Sequence, residues 1–365
     1  MAGPIGAMLY QAYMKWFPIP LPAPDSFSGQ TAVVTGGTSG LGLAAAVHLV
    51  NLGASEVIIS SRNPSRAHDA LEAIERATGG KSKGKMRVLD LDMEKYASVV
   101  AFAEEVKAIK EGKGGVDVLI LNAGVAGVDH KLSDEGWEQN IQVNTLSTTL
   151  LALLLLPHLK AERPNRRTAA HLSIVGSMRF GDPDIKEWKS WQVGNKGEGE
   201  GVLEHLSRRE NFPGPSVMYA STKLLVMYAF TELVELAKGT DGRPQVILNT
   251  MCPGIVKTDL PRNYKGKGAV FVAGIGVFYA LFGKSAADGA RAYLAAVTTE
   301  ESEHGKFIQF YKSEKQLQAL SNRVLTSEDG KRMQSQIWRE ITGELGRKVP
   351  KVRDFLVVSQ VTAKR

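Results

Sequence analysis

Thr31-Ala-Val-Val-Thr35 runs directly into Gly36-Gly-Thr38-Ser39-Gly40-Leu41-Gly42, and an alanine-rich segment follows from about Leu43 to Leu52. The first piece is a short apolar, β-branched-rich run suited to a buried strand. The last reads as a helix, so the order is strand, glycine turn, helix. Gly36 permits the tight turn. Gly40 and Gly42 let backbone approach a pyrophosphate and let the helix pack close to the strand. The helix N-terminus then offers free N–H groups and a favourable dipole to an anion. The spacing is TGxxxGxG rather than GxGxxG, and a glycine cluster taken alone is weak evidence for a phosphate loop.

Candidate strands follow at 31–35, 56–60, 86–89, 116–121, 169–175, 245–250 and 305–310, with helical patterns between them. Such alternation predicts an α/β, Rossmann-type, doubly wound and mainly parallel seven-stranded sheet with helices on both faces. Ligands are then expected at the carboxyl ends of the strands.

Far downstream, Tyr219-Ala-Ser-Thr-Lys223 places a phenol and an ammonium four residues apart, one turn apart on one helix face. A free phenol titrates near pH ~10. A neighbouring positive charge lowers that value and makes the pair a candidate acid/base for a carbonyl/alcohol couple. YxxxK occurs often by chance, so its weight comes from its companions. These are Asn122-Ala123-Gly124 after an apolar strand, Asn144 in Gln-Val-Asn-Thr, Ser177 ending Ser-Ile-Val-Gly-Ser, and Pro253-Gly254-Ile255-Val-Lys-Thr258.

In this order, these elements resemble the short-chain dehydrogenase/reductase family over roughly residues 28–310. The resemblance implies a catalytic set of Ser177, Tyr219, Lys223 and Asn144. Tyr219 would donate a proton to a developing alkoxide, with Ser177 hydrogen-bonding the same oxygen. Lys223 would hold the nicotinamide ribose, and Asn144 would anchor a water leading from Lys223 to solvent. It also implies cofactor contacts from Gly36, Thr38, Ser39, Gly40, Leu41, Gly42, Asn122, Ala123, Gly124, Tyr219, Lys223, Pro253, Gly254, Ile255 and Thr258. Asp90 and Leu91 resemble the adenine-contacting pair, with Asp92 as the alternative to Asp90. Ser321–Leu345 is similar to the tails of fungal members acting on hydrophobic metabolites, a less specific likeness. Two departures stand out. Ser177 and Tyr219 lie much further apart than in most of the family, which implies an insertion over 179–215. Leu121 stands where many relatives carry another asparagine. Ser173 is a rival for the catalytic serine, disfavoured because it falls within the strand.

The second strand ends in Ser61-Arg62-Asn63. An NAD site would carry an acid here for the ribose hydroxyls, whereas Arg62 can form charge-assisted bonds to a 2′-phosphate. NADP(H) is therefore the expected cofactor. The alternative is an ordinary surface arginine.

Composition narrows the remainder. The chain has 365 residues, 43% hydrophobic and 23% charged, a balance that marks a globular protein. The single cysteine, Cys252, excludes an intrachain disulfide, and seven scattered histidines show no metal-ligand spacing, so no metal site is expected. The net charge of +7 is spread out without interleaved aromatics, which argues against nucleic-acid binding. The expected organisation is residues 1–27 as an amphipathic helix and Pro-rich connector, 28–345 as one Rossmann domain, and 346–365 as a tail. Within the domain, 179–215 is read as a lid or pocket wall, and 260–285, with the apolar run 268–282, as a substrate-pocket segment.

These features point to an oxidoreductase, a ketoreductase or alcohol dehydrogenase, for a bulky lipophilic ketone or alcohol. A polyketide- or terpenoid-type secondary metabolite is expected, with steroid and retinoid substrates as alternatives. A non-redox isomerase and an NADP sensor remain competing classes. No signal-peptide pattern is seen, and the expected location is cytoplasmic. The helix at 5–17 and the run 268–282 are the two candidates for peripheral membrane contact, with packing on the domain as the default. The oligomeric state is left between monomer and homodimer.

Overall fold

The computed structural model describes residues 10, 13–191, 200–257 and 281–363. Seven parallel strands form one sheet: β1 (Thr31–Val34), β2 (Glu56–Ser61), β3 (Met86–Asp90), β4 (Val118–Leu121), β5 (Ala170–Val175), β6 (Val246–Met251) and β7 (Phe307–Ile308). Their order is β3-β2-β1-β4-β5-β6-β7. The order reverses between β1 and β4, where an open α/β sheet leaves a crevice at its strand ends. All seven strands have ends within two residues of their sequence-derived positions. The seventh shrinks to Phe307–Ile308, because only Thr250 and Met251 of β6 pair with it.

Strand periodicity sorts the core onto two faces. Val33, Ile58, Leu119, Leu172 and Leu248 pack on one side, while Ala32, Val34, Val57, Ile59, Val118 and Ile120 pack on the other. Successive residues alternate because strand side chains have a period of two. The first side is covered by α3 (Tyr96–Lys107), α4 (Gln139–Ala161) and α5 (Pro215–Leu236). The second is covered by α1 (Gly40–Asn51), α2 (Pro64–Ala77) and α6 (Ala286–Ala296). Helices α4 and α5 are long and apolar enough to cross a membrane, but 89% and 72% of their apolar windows are buried inside the protein. They are core helices: α4 presents an almost unbroken leucine surface, from Leu150 to Leu156, to neighbours on several sides.

The described part of the insertion docks instead of hanging free. Helix α7 (Glu328–Lys348) supplies Glu340, whose carboxylate accepts from the N–H groups of Val202 (3.1 Å) and Leu203 (2.9 Å). It thereby caps the helix Val202–Ser207, whose own N-cap, Gly201, has no side chain to do so. Trp188 is buried in the same core. The expected helix over the N-terminal segment is seen at residues 13–16, and the proline run that follows is irregular. The run 268–280 and Thr258 lie outside the described residues.

One contact ties this architecture to the crevice. A Cβ added to Gly42 would lie 2.5 Å from the Gly36 carbonyl oxygen and 2.6 Å from Asn122 Nδ2. Backbone cannot yield there without opening the β1–α1 turn. Gly42→Ala should therefore cost roughly 1–3 kcal/mol, lower the melting temperature and weaken dinucleotide binding. Unchanged melting and binding would show that the turn has slack.

Candidate active site

The crevice is a cavity of about 800 Å³ at the carboxyl ends of the strands. One end is built from the glycine turn. Gly36 has φ +65° and Gly40 φ +54°, a region open to glycine and strained for other residues. The Gly36 N–H donates to Ser60 Oγ at 2.9 Å. Thr35, fully buried, accepts on its Oγ1 from the N–H groups of Asn122 (2.9 Å) and Ala123 (3.0 Å). Asn122 Nδ2 donates back to the Thr35 carbonyl at 2.8 Å. Its Oδ1 accepts from the Tyr293 hydroxyl of α6 at 2.8 Å. The turn is thus stitched to the end of β4. The α1 N-cap, Ser39, makes no side-chain cap bond, which leaves first-turn N–H groups for an anion. Thr38, Ser39, Gly40, Leu41 and Gly42 all line the cavity.

Ser177, Tyr219, Lys223 and Asn144 line the same cavity although they come from three separate parts of the chain. Asn144 sits in a π-helical turn, Gln142–Ser147, within α4, the kind of bulge that re-aims a side chain. Its Oδ1 accepts from the Val125 N–H (2.8 Å), and its Nδ2 donates to the Val125 carbonyl (2.9 Å) and to Thr222 Oγ1 (3.1 Å). The amide thereby clamps the loop after β4 to the helix that carries Tyr219. Lys223, 7% exposed, donates to the Val175 carbonyl at the end of β5 at 2.8 Å. Its ammonium lies 5.6 Å from the Tyr219 ring centroid. Burial pulls the lysine down from 10.5 to about 8. Ser177 caps a short 3₁₀ turn, its Oγ accepting from the Arg179 N–H at 3.3 Å. Ser173 is fully buried in β5 and donates to Asn249 of β6, away from the cavity.

At the far end, Arg62, Ser61 and Leu91 line the wall together with Asp92 and Glu94. Asp90 is exposed at the end of β3 and is not among the lining residues, whereas Asp92 is. Asp90 is the last residue of β3, whereas Leu91 and Asp92 lie past the strand end, where the chain turns along the cavity. Arg66 also lines this end, one turn into α2, whose N-terminus is capped by Asn63. Its place in the first turn of the helix that follows Arg62 is the signal that could have found it.

Cys252, Tyr293 and Tyr311 join the lining beside Pro253, Gly254 and Ile255, and sequence reasoning assigned none of them to the cavity. Tyr311 packs so closely on Gly254 (φ +81°) that a Cβ there would lie 2.5 Å from its ring. Its hydroxyl accepts from Lys284 Nζ at 3.1 Å. Lys284 is 3% exposed and burial lowers it to about 8. Burial likewise pushes the Cys252 thiol up, which marks it as an inert thiol. Among the described residues no group of His, Cys, Asp and Glu could hold a metal ion.

Comparison with known proteins agrees with this geometry. A family model described as short chain dehydrogenase matches residues 30–180. The short-chain dehydrogenase/reductase ffsI of Aspergillus flavipes is 33% identical over 91% of this chain and 90% of its own length. Its counterpart phmF of Phaeosphaeria nodorum is 34% identical over 90% of each. Among solved structures, an NADPH-bound short chain oxidoreductase from Pseudomonas aeruginosa PAO1 superposes with a TM-score of 0.55 at 23% identity, covering 79% of this chain and 96% of that one. The chain belongs to the short-chain dehydrogenase/reductase family, a family of oxidoreductases.

The buried Lys223 makes a testable demand on stability. Below about pH 8 both folded and unfolded chains carry its proton, so the folded state bears the full cost of burying the charge. Between about 8 and 10.5 only the unfolded chain keeps it, so the lysine's contribution to stability rises with pH. Without ligand, Lys223→Met should melt higher than wild type at neutral pH, by on the order of 2 °C or more. The gap should shrink as pH climbs through that window. A variant that melts lower at neutral pH would contradict the unfavourable burial.

Proposed function

We propose that this protein is an NADP(H)-dependent ketoreductase or alcohol dehydrogenase for a bulky lipophilic ketone or alcohol, of polyketide- or terpenoid-type secondary metabolism. The observation that carries the reading is convergence. Ser177, Tyr219, Lys223 and Asn144 line one cavity with the uncapped N-terminus of α1 and with Arg62. A bound NADPH would supply the hydride for the carbonyl carbon. Its pyrophosphate fits the α1 N-terminus, where Gly42 has no room for a side chain.

The residues would divide the remaining chemistry. Tyr219 gives its phenolic proton to the carbonyl oxygen as that oxygen gains charge. Ser177 hydrogen-bonds the same oxygen, a contact that strengthens as charge develops. The Lys223 ammonium favours the phenolate left behind. Asn144 fixes the loop around Val125 against α5 and would anchor a water leading from Lys223 to solvent. At the adenosine end, Arg62 and Arg66 present positive charge for a 2′-phosphate. The apolar run 268–282, next in sequence after the Pro253–Ile255 wall, supports a lipophilic substrate. The fungal origin of the ffsI and phmF relatives fits a role in secondary metabolism. The protein then acts in the cytoplasm as a monomer or homodimer.

Two results test it. Tyr219→Phe should bind NADPH as wild type does and lose about 10²–10⁴-fold in turnover of lipophilic ketones. Arg62→Ala should weaken NADPH about tenfold and leave NADH unchanged. Equal turnover in Tyr219→Phe would remove the proton-donor role. A wild-type preference for NADH would overturn the cofactor assignment.

A further inference from the structure

Arg62 is already engaged. Its Nη1 donates to Glu94 Oε1 at 2.9 Å and reaches Asp92 Oδ1 at 3.5 Å. Its side chain is 55% exposed, whereas that of Glu94 is 14% exposed. The acid is held by other elements as well. Gln139 Nε2, at the start of α4, donates to Oε1 at 2.8 Å, and Lys131 Nζ, from the loop after β4, donates to Oε2 at 3.1 Å. The Glu94 N–H donates to Asp92 Oδ1 at 3.1 Å. Glu94 therefore stays in place when Arg62 moves, and it lines the same end of the cavity as Arg62 and Arg66. These bonds hold its carboxyl below the usual range against the opposing effect of burial, and the pairing raises the arginine.

This arrangement supplies from the β3–α3 connection the acid that is missing from the end of β2. We infer that Glu94 is a specificity-determining residue: a fixed carboxylate that competes with the cofactor's 2′-phosphate for Arg62 and so limits the preference for NADPH over NADH. The inference rests on the proposed dinucleotide reading of the cavity. A 2′-phosphate carries close to two negative charges at neutral pH. Placed on the Arg62 guanidinium, it comes within a few ångströms of a carboxylate that cannot retreat. NADH meets no such repulsion, and Asp92 and Glu94 offer acceptors to its ribose hydroxyls. The opposite role, in which Glu94 only orients Arg62 towards the phosphate, predicts the opposite sign on removal.

The experiment is equilibrium binding of NADPH, NADH, adenosine 2′,5′-bisphosphate and AMP to the full chain, as wild type, Glu94→Gln, Arg62→Ala and the double variant. Glutamine keeps the shape and an oxygen for Gln139 and Arg62 while removing the charge. Glu94→Gln should tighten NADPH and adenosine 2′,5′-bisphosphate by roughly three- to tenfold, the range of a half-exposed charge pair. NADH and AMP should hold or weaken, and the gain should vanish on the Arg62→Ala background. Weaker or unchanged NADPH binding in Glu94→Gln overturns the inference, as does a gain that persists without Arg62. Failure of the underlying reading looks different: no form would bind either dinucleotide. Wild type binding NADH better, with Glu94→Gln reversing the order, would support the inference and correct the cofactor preference.

Discussion

The hydrogen bonds between Thr35 and Asn122 hold the site together. They join the ends of β1 and β4, the two strands between which the strand order reverses, and the glycine turn and the Asn122–Val125 loop hang from those ends. Thr35 Oγ1 accepts two backbone N–H groups from the β4 end, and the Asn122 side chain returns a bond to the Thr35 carbonyl. These groups are buried or half-buried, where an unpartnered donor would cost about 1–3 kcal/mol. The network is therefore specific as well as stabilising. It fixes the glycine turn, which aims α1 at the cavity, and it fixes Ala123 to Val125, which Asn144 then ties to the helix carrying Tyr219 and Lys223.

Much of this was legible in the residues. The strand runs are short, apolar and separated by helical patterns, so the sheet followed from periodicity. The glycine turn and the Tyr219–Lys223 spacing act through local geometry, which sequence records directly. What stayed hidden depends on contacts between remote segments. Nothing near Arg62 in the chain announces Glu94, and nothing near Gly254 announces Tyr311 or Lys284. The docking of the insertion on Glu340 is equally non-local, since a glycine N-cap gives no hint of which carboxylate will cap it. Asp90 closes β3, whereas Asp92 lies in the connection beyond it. The neighbouring Leu91 shares the cavity with Asp92, a detail set by how the chain leaves β3.

Buried charge shows where stability has been given up. Lys223 and Lys284 are buried, both are pulled towards neutrality by burial, and no carboxylate among the described residues forms an ion pair with either. Each rests on an oxygen dipole, a strand-end carbonyl for Lys223 and a phenol for Lys284. A sequence selected for stability alone would place apolar side chains there. Lys223 lines the cavity together with Tyr219, Cys252 and Tyr311, and Lys284 is bonded to the Tyr311 hydroxyl.

In the proposed function this cavity moves a hydride between a nicotinamide and a carbonyl carbon. The most direct test uses NADPH deuterated at one or the other face of the nicotinamide C4, incubated with the protein and a lipophilic ketone. Deuterium is expected on the carbinol carbon of the product from one face only, with a slowed single turnover for that label. Product formed without deuterium from either face, or substrate isomerised while NADPH is unconsumed, would contradict it.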